Sequence, residues 1–244
     1  MEETHMKITI YNEYLHEKYD EQIKEIYPDG IHGQLAKILT EAGHECTTST
    51  LDDIQTTMTD EVLANTDVLL WWGHMGHHLV PDEIVEKVYN RVMAGMGLVV
   101  LHSGHNSKIF KKLCGTDAGE LKWRDDNEKE ILWVVDPTHP IVQGIGENII
   151  LEEEEMYGEH FIIPTPDELV FISWFAGGEV FRSGCVFKRG NGKIFYFRPG
   201  HECVPTYYNE KVQRVIKNAV EYVKNDSIAP ITYGYVEPTV EWKK

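Results

Sequence analysis

A chain of 244 residues, 42% hydrophobic and 26% charged, can bury a sizeable core and is expected to form one α/β domain over residues 1–244. Its formal net charge of −17, with 23 basic residues scattered rather than striped, argues against nucleic acid and anionic membrane surfaces as partners and favours small neutral or cationic ligands. No apolar run approaches the roughly 20 residues of a membrane span, and residues 1–7 lack the basic start and apolar stretch of a signal peptide, which predicts a cytoplasmic protein with Met6 as an alternative start.

The first strand is predicted over residues 6–11, followed by a long polar segment, residues 15–29, dense in Tyr, Glu and Lys. A loop of that length after a first strand is often functional. Residues 31–42 read as a helix with Leu35, Ile38 and Leu39 on one face, stopped by Gly43, and a second strand begins at His44. Thr59-Asp60-Glu61 caps a short helix, residues 67–72 form a buried strand, Pro81 opens a helix to Ala94, and residues 97–102 are the next buried strand. Strands alternating with helices imply a mostly parallel sheet covered on both faces, a three-layer sandwich. After Cys114-Gly115, residues 120–125 and 129–135 alternate polar and apolar side chains, which predicts an antiparallel insertion. Residues 136–140 are a turn, residues 169–175 return as a strand, and residues 180–188 and 193–198 flank a hairpin marked by Asn191-Gly192. The last helix spans residues 209–223, with Val212, Val215, Ile216, Ala219 and Val223 inward. The tail from Asn225 reads as extended and Pro-broken; with the chain's Trp and Tyr residues, its 233–238 stretch offers an interface for a homo-oligomer.

In open parallel sheets ligands collect beyond the carboxyl ends of the strands, where this chain places its histidines. Leu98-Val99-Val100-Leu101-His102-Ser103-Gly104-His105-Asn106 puts His102 at the corner where a strand turns into a helix. Tyr27-Pro28-Asp29-Gly30-Ile31-His32-Gly33 opens a helix, and Phe197-Arg198-Pro199-Gly200-His201-Glu202 ends a strand. One such histidine alone fits a core residue bonded to a carbonyl. Several converging on one mouth fit a divalent-metal or acid/base pocket. Trp71-Trp72-Gly73-His74-Met75-Gly76-His77-His78 is the densest histidine run; Trp72 and His74 are substrate-binding candidates, the Trp rings serving either as a sugar-stacking platform or as core. In Glu152-Glu153-Glu154-Glu155-Met156-Tyr157 the first two carboxylates fit a solvated acidic face. Glu154 or Glu155 beside Tyr157, followed by Gly158-Glu159-His160, supplies a ligand or general base with a hydroxyl donor; His160 joins the substrate-binding candidates.

Cys46, Cys114, Cys185 and Cys203 share no C-x-x-C spacing and read as reduced, mostly buried thiols. The motifs G-x-S-x-G, Walker A and G-x-G-x-x-G are absent, which leaves hydrolase-type serine nucleophiles and nucleotide cofactors without support. Cys203, two residues after His201, remains a rival thiol nucleophile for a hydrolase or transferase.

The blocks Val100 to Asn106, Glu154-Glu155-Met156-Tyr157 and Tyr196 to His201 resemble the three recurrent blocks of the ThuA-like, or trehalose-utilisation, family. The resemblance implies a flavodoxin-like sandwich of the class I glutamine amidotransferase type without its catalytic cysteine, His102 standing at the nucleophile corner. It further implies a role in the catabolism of trehalose or a keto-bearing disaccharide. Carried over to this chain, His32, His102, Glu155 and His201 match the pocket positions, with Glu154, Tyr157 and His105 as second choices. The expectation is therefore a metal-dependent isomerase, epimerase or hydrolase acting on a sugar, with zinc ligated by His32, His102, Glu155 and His201. His102, Glu155, His201 and Tyr157 would carry the catalysis, and Trp72, His74, His105, Glu154 and His160 would bind substrate. A non-catalytic sugar-binding or regulatory protein is the alternative.

Overall fold

The computed structural model describes residues 5–232 and 234–240. In chain order, β1 (Lys7–Asn12) is followed by α1 (His16–Tyr19), α2 (Glu21–Ile26) and α3 (Gly30–Thr40). Next come β2 (Glu45–Thr50), α4 (Ile54–Thr57), α5 (Asp60–Ala64), β3 (Val68–Trp72), α6 (Asp82–Ala94), β4 (Gly97–Leu101) and α7 (Lys108–Cys114). The second half holds β5 (Lys122–Val134), β6 (Asn148–Gly158), β7 (Glu168–Phe175), β8 (Val180–Arg189), β9 (Gly192–Phe197) and α8 (Glu210–Val223).

Among the described residues, nine strands share one sheet in the order β2-β1-β3-β4-β9-β8-β7-β5-β6. The first five pair in parallel, and their order is the flavodoxin-like 2-1-3-4-5 when β9 is counted as the fifth. From β9 outward the pairings turn antiparallel, so the expected insertion extends the same sheet. Every residue of β3 and β4 is buried, because helices cover both faces there. Ile31, Leu35 and Leu39 of α3 and Val212, Val215, Ile216 and Val220 of α8 pack on one face. The apolar sides of α6 and α7, including Ile84, Val88, Val92, Ile109 and Phe110, pack on the other. The α/β sandwich read from the sequence is thus the architecture of the chain.

Three local expectations change. The polar segment after β1 contains α1 and α2, the latter capped by Asp20, whose carboxylate accepts from the amides of Gln22 and Ile23. Residues 120–135 hold one long strand, because register shifts around Glu128, beside Asn127 at φ 51°, break the alternation without ending the pairing. In the hairpin, Arg189 pairs with Gly192, so Gly190 and Asn191 make the turn. Gly192 is instead fixed by close approach, since a Cβ there would stand 2.2 Å from the carbonyl oxygen of Val92. Among the cysteines, Cys114 and Cys185 are buried, Cys46 is half-buried and Cys203 is exposed. The tail packs back through Ala229, whose amide donates to the Ala94 carbonyl, while Tyr235 and Val236 are exposed. Tyr233 of the proposed interface stretch and residues 1–4 of the N-terminus lie outside the described residues. Among the described residues no helix is long and apolar enough to cross a membrane.

Candidate active site

Three strand ends supply the site. After β4 the chain enters a tight turn, His102–Asn106, before α7, and His102 takes φ 51°. A non-glycine residue in the left-handed region costs roughly 1–2 kcal/mol, which the surrounding structure must hold in place. His102 is fully buried; its Nδ1 donates to the Arg198 carbonyl at 3.1 Å, which directs Nε2 toward Glu155 and His201. After β9, Gly200 at φ 124° bends the chain, and a Cβ at that position would meet the Tyr207 hydroxyl at 2.1 Å. His201 follows directly. After β3, the Glu13 carboxylate accepts from the amides of Met75 at 2.9 Å and Gly76 at 2.8 Å, which fixes the turn carrying His74.

His102 Nε2, His201 Nδ1 and Glu155 Oε2 form a nearly equilateral triangle with sides of 3.3, 3.3 and 3.4 Å. His74 completes a set of four whose ligand atoms all lie within 4.8 Å of one another. Glu155 Oε2 has no well-aligned hydrogen-bond donor although it is buried. Burial pushes the Glu155 carboxyl upward, but the His102 and His201 imidazoles outweigh this and hold it well below the usual carboxylate range. Burial, aided by His102, lowers His74 to about 2, so its ring is neutral. Burial also disfavours charge on His201, yet hydrogen bonds to Cys203 and Glu155 and the charge of Glu202 push it up to about 11.

His74, Glu155 and His201 form one wall of a cleft of about 500 Å³, with His102 buried behind them, and the cleft is lined also by His16, Asp20, His105, Trp123, Asp125 and Tyr157. Buried His105 donates from Nδ1 to the Ala118 carbonyl at 2.8 Å, and burial lowers it to about 3, so it faces the cleft as a neutral base. The Tyr157 hydroxyl shares a short hydrogen bond with Ser103, and its ring stacks on His102 with centroids 5.5 Å apart. Burial, with the Glu155 charge, pushes the Tyr157 phenol upward. It remains a donor.

The sequence therefore brings Glu155, His201, His74, His105 and Tyr157 to one cleft, with His102 buried directly behind Glu155 and His201. Four other expectations are corrected. His32 is outside the cluster: α3 starts beside the end of β1, where His32 Nδ1 accepts from Asn12 Nδ2 at 3.1 Å and its ring stands edge-on to Tyr14. Its place in the set of four is taken by His74. Glu154 points away from the cleft and joins a buried ion group, bonded to Arg198, to the Gly200 amide at 3.0 Å and to Thr206. Trp72 is fully buried, its Nε1 donating to the Gly200 carbonyl at 3.0 Å and its ring lying parallel to His102. His160 is exposed beyond β6 and does not line the cleft. Trp123, 66% exposed at the cleft wall, offers the aromatic face expected of Trp72. Sequence reasoning missed His16 and Glu202. Both signals were present: His16 opens the polar segment after β1, and Glu202 adjoins His201. Cys203 sits at the cleft edge beside His201, and the corner geometry belongs to His102.

The flavodoxin-like sheet with a histidine at its strand-to-helix corner defines an α/β protein with a polar, imidazole-lined cleft at the carboxyl ends of its strands. The chain belongs to the ThuA family, described as trehalose utilisation, whose model matches residues 7–223. Its fold is similar to that of a ThuA-like protein from Parabacteroides merdae, at 15% identity over 94% of this chain and 93% of that one, with a TM-score of 0.67. A Salmonella typhimurium protein described as cytoplasmic aligns at 12% identity over 91% of this chain and all (100%) of that one, with a TM-score of 0.60. A β-galactosidase from Bacillus circulans aligns at 12% identity over 90% of this chain but 31% of its own, with a TM-score of 0.55. No relative was found among curated protein sequences.

Proposed function

We propose that this protein is an enzyme that performs divalent-metal-assisted acid–base chemistry on a sugar, in the utilisation of trehalose or a keto-bearing disaccharide. The observation that carries the reading is the triangle of His102 Nε2, His201 Nδ1 and Glu155 Oε2. Ligands of a tetrahedral zinc ion with bonds of about 2.0–2.1 Å stand about 3.3–3.4 Å apart, so these three atoms fit such an ion. The fit extends outward: the His102 bond to the Arg198 carbonyl orients the ring as metal-bound imidazoles are oriented. When bound, the ion would polarise a carbonyl or hydroxyl oxygen of the substrate.

The chain's own groups would do the rest. His105, neutral and oriented by Ala118, takes a proton from the carbon or hydroxyl beside that oxygen. Tyr157, held by Ser103, donates a hydrogen bond. Trp123 offers a flat apolar face for a sugar ring, and Asp20 and Asp125 accept from its hydroxyls. Membership of the trehalose-utilisation family supports the choice of substrate.

Elemental analysis after exhaustive dialysis should find metal in the wild-type protein and none in His102→Ala. Incubation with a keto-derivative of trehalose, followed by carbohydrate chromatography, should show turnover only by the metal-bearing protein. Metal retained by His102→Ala refutes the site; metal without turnover points to sugar sensing.

A further inference from the structure

A second group of metal-ligating atoms adjoins the first. Glu202 Oε1 lies 3.2 Å from His16 Nδ1 and 3.2 Å from His74 Nδ1, and His16 Nε2 stands 3.0 Å from His74 Nδ1. These groups come from three separate places: His16 from the start of α1, His74 from the turn after β3, and Glu202 from the loop after β9. The Glu202 carboxylate is buried, with 3% of its side chain exposed, and its other oxygen points the opposite way, 3.3 Å from His201 Nδ1. That oxygen has no well-aligned donor. Hydrogen bonding alone serves it poorly, because the one proton available on His201 Nδ1 is shared among Glu155 Oε2, Glu202 Oε2 and His102 Nε2.

We propose that the cleft binds two divalent cations side by side, the first held by His102, His201 and Glu155 and the second by His16, His74 and Glu202, with the Glu202 carboxylate spanning both. The inference rests on the metal-dependent reading above and extends it. One carboxylate oxygen directed at each trio is the arrangement by which paired ions are kept about 3.5–4 Å apart. His16, His74 and Glu202 line the same cleft as Glu155 and His201, so the substrate class narrows to one that presents two adjacent oxygens, a hydroxy-ketone or vicinal diol of a sugar. His16 and Glu202 would then set affinity for that oxygen pair, while His105 and Tyr157 handle protons.

The test uses the full chain, stripped with a chelator, loaded with Mn²⁺, dialysed and analysed for metal. Two equivalents are expected in the wild type and one in His16→Ala. One equivalent in the wild type overturns the second site and leaves the first standing; none overturns both. Electron paramagnetic resonance of the Mn²⁺-loaded wild type decides the question if His16→Ala fails to fold: a spin-coupled pair is expected, and an isolated-ion spectrum overturns the proposal.

Discussion

Glu154 and Glu155 are consecutive on β6, both are buried, and their charges are met in different ways. On one side of the strand, Glu154 joins Arg198 and Glu130, all fully buried, with the Gly200 amide and the Thr206 hydroxyl completing its bonds. On the other, Glu155 faces only imidazoles and keeps an oxygen without an aligned donor. The first region is closed: the two terminal nitrogens of Arg198 bond both carboxylates inside the protein while its Nε has no aligned partner, and burial beside Glu154 pushes Glu130 up. The second opens onto the cleft through Glu155, His74 and His201. Two adjacent residues thus separate a group that holds the loop of His201 in place from the group on which the proposed chemistry rests.

Removing Arg198 tests the closed region most severely. Arg198→Met leaves Glu130 and Glu154 buried without a counter-charge, which should cost about 3–5 kcal/mol in urea denaturation. A loss below about 1 kcal/mol would mean the carboxylates are served elsewhere. The open region should respond to metal instead. Zinc at about a hundred times its dissociation constant should stabilise the wild type by roughly 2.7 kcal/mol, read as a rise in melting temperature. His102→Asn, which tolerates the left-handed backbone, should show no such rise, and an equal rise would place the ion elsewhere.

A fourth carboxylate sharpens the contrast at the protein surface. Burial pushes Glu168 up, but hydrogen bonds from Lys188, Tyr222 and His139 outweigh it and bring it down to about 2. Because the folded value lies below the unfolded one, its contribution is complete above pH 4.5 and fades as pH falls towards about 2. Glu168→Gln should therefore lose roughly 1 kcal/mol at neutral pH, discounted for solvent screening, with the difference from wild type vanishing in acid. A difference that grows in acid would reverse the assignment. The smallest effect is expected for Tyr157→Phe: about 0.5–1.5 kcal/mol from the lost Ser103 bond, with metal content unchanged. Loss of metal in that variant would extend the open region to the phenol.

Much of this was legible in the residues. Apolar runs such as residues 97–101 and the amphipathic spacing of α3 and α8 follow from backbone geometry, which sequence periodicity reports directly. His102 and His201 were legible because each ends an apolar strand, and strand ends converge in this kind of sheet. His32 misled because a helix start beside β1 resembles a strand-end loop in sequence while its side chain turns to Asn12. Trp72 and Trp123 could not be told apart by composition; a parallel strand covered on both faces buries one, and the outlying antiparallel strand exposes the other. The roles of Glu154 and Glu155 required Arg198, forty-four positions from Glu154, to be seen in place.

The backbone at residue 102 is held in a left-handed bend by what precedes and follows it, so the direction of its side chain is decided by the scaffold and the reagent by the residue alone. In related architectures the same bend carries a serine or cysteine. Exchanging a lone-pair donor for an attacking atom then takes one codon change, and an ancestral protein of this build could diversify its reactions without redesigning the sheet that supports them.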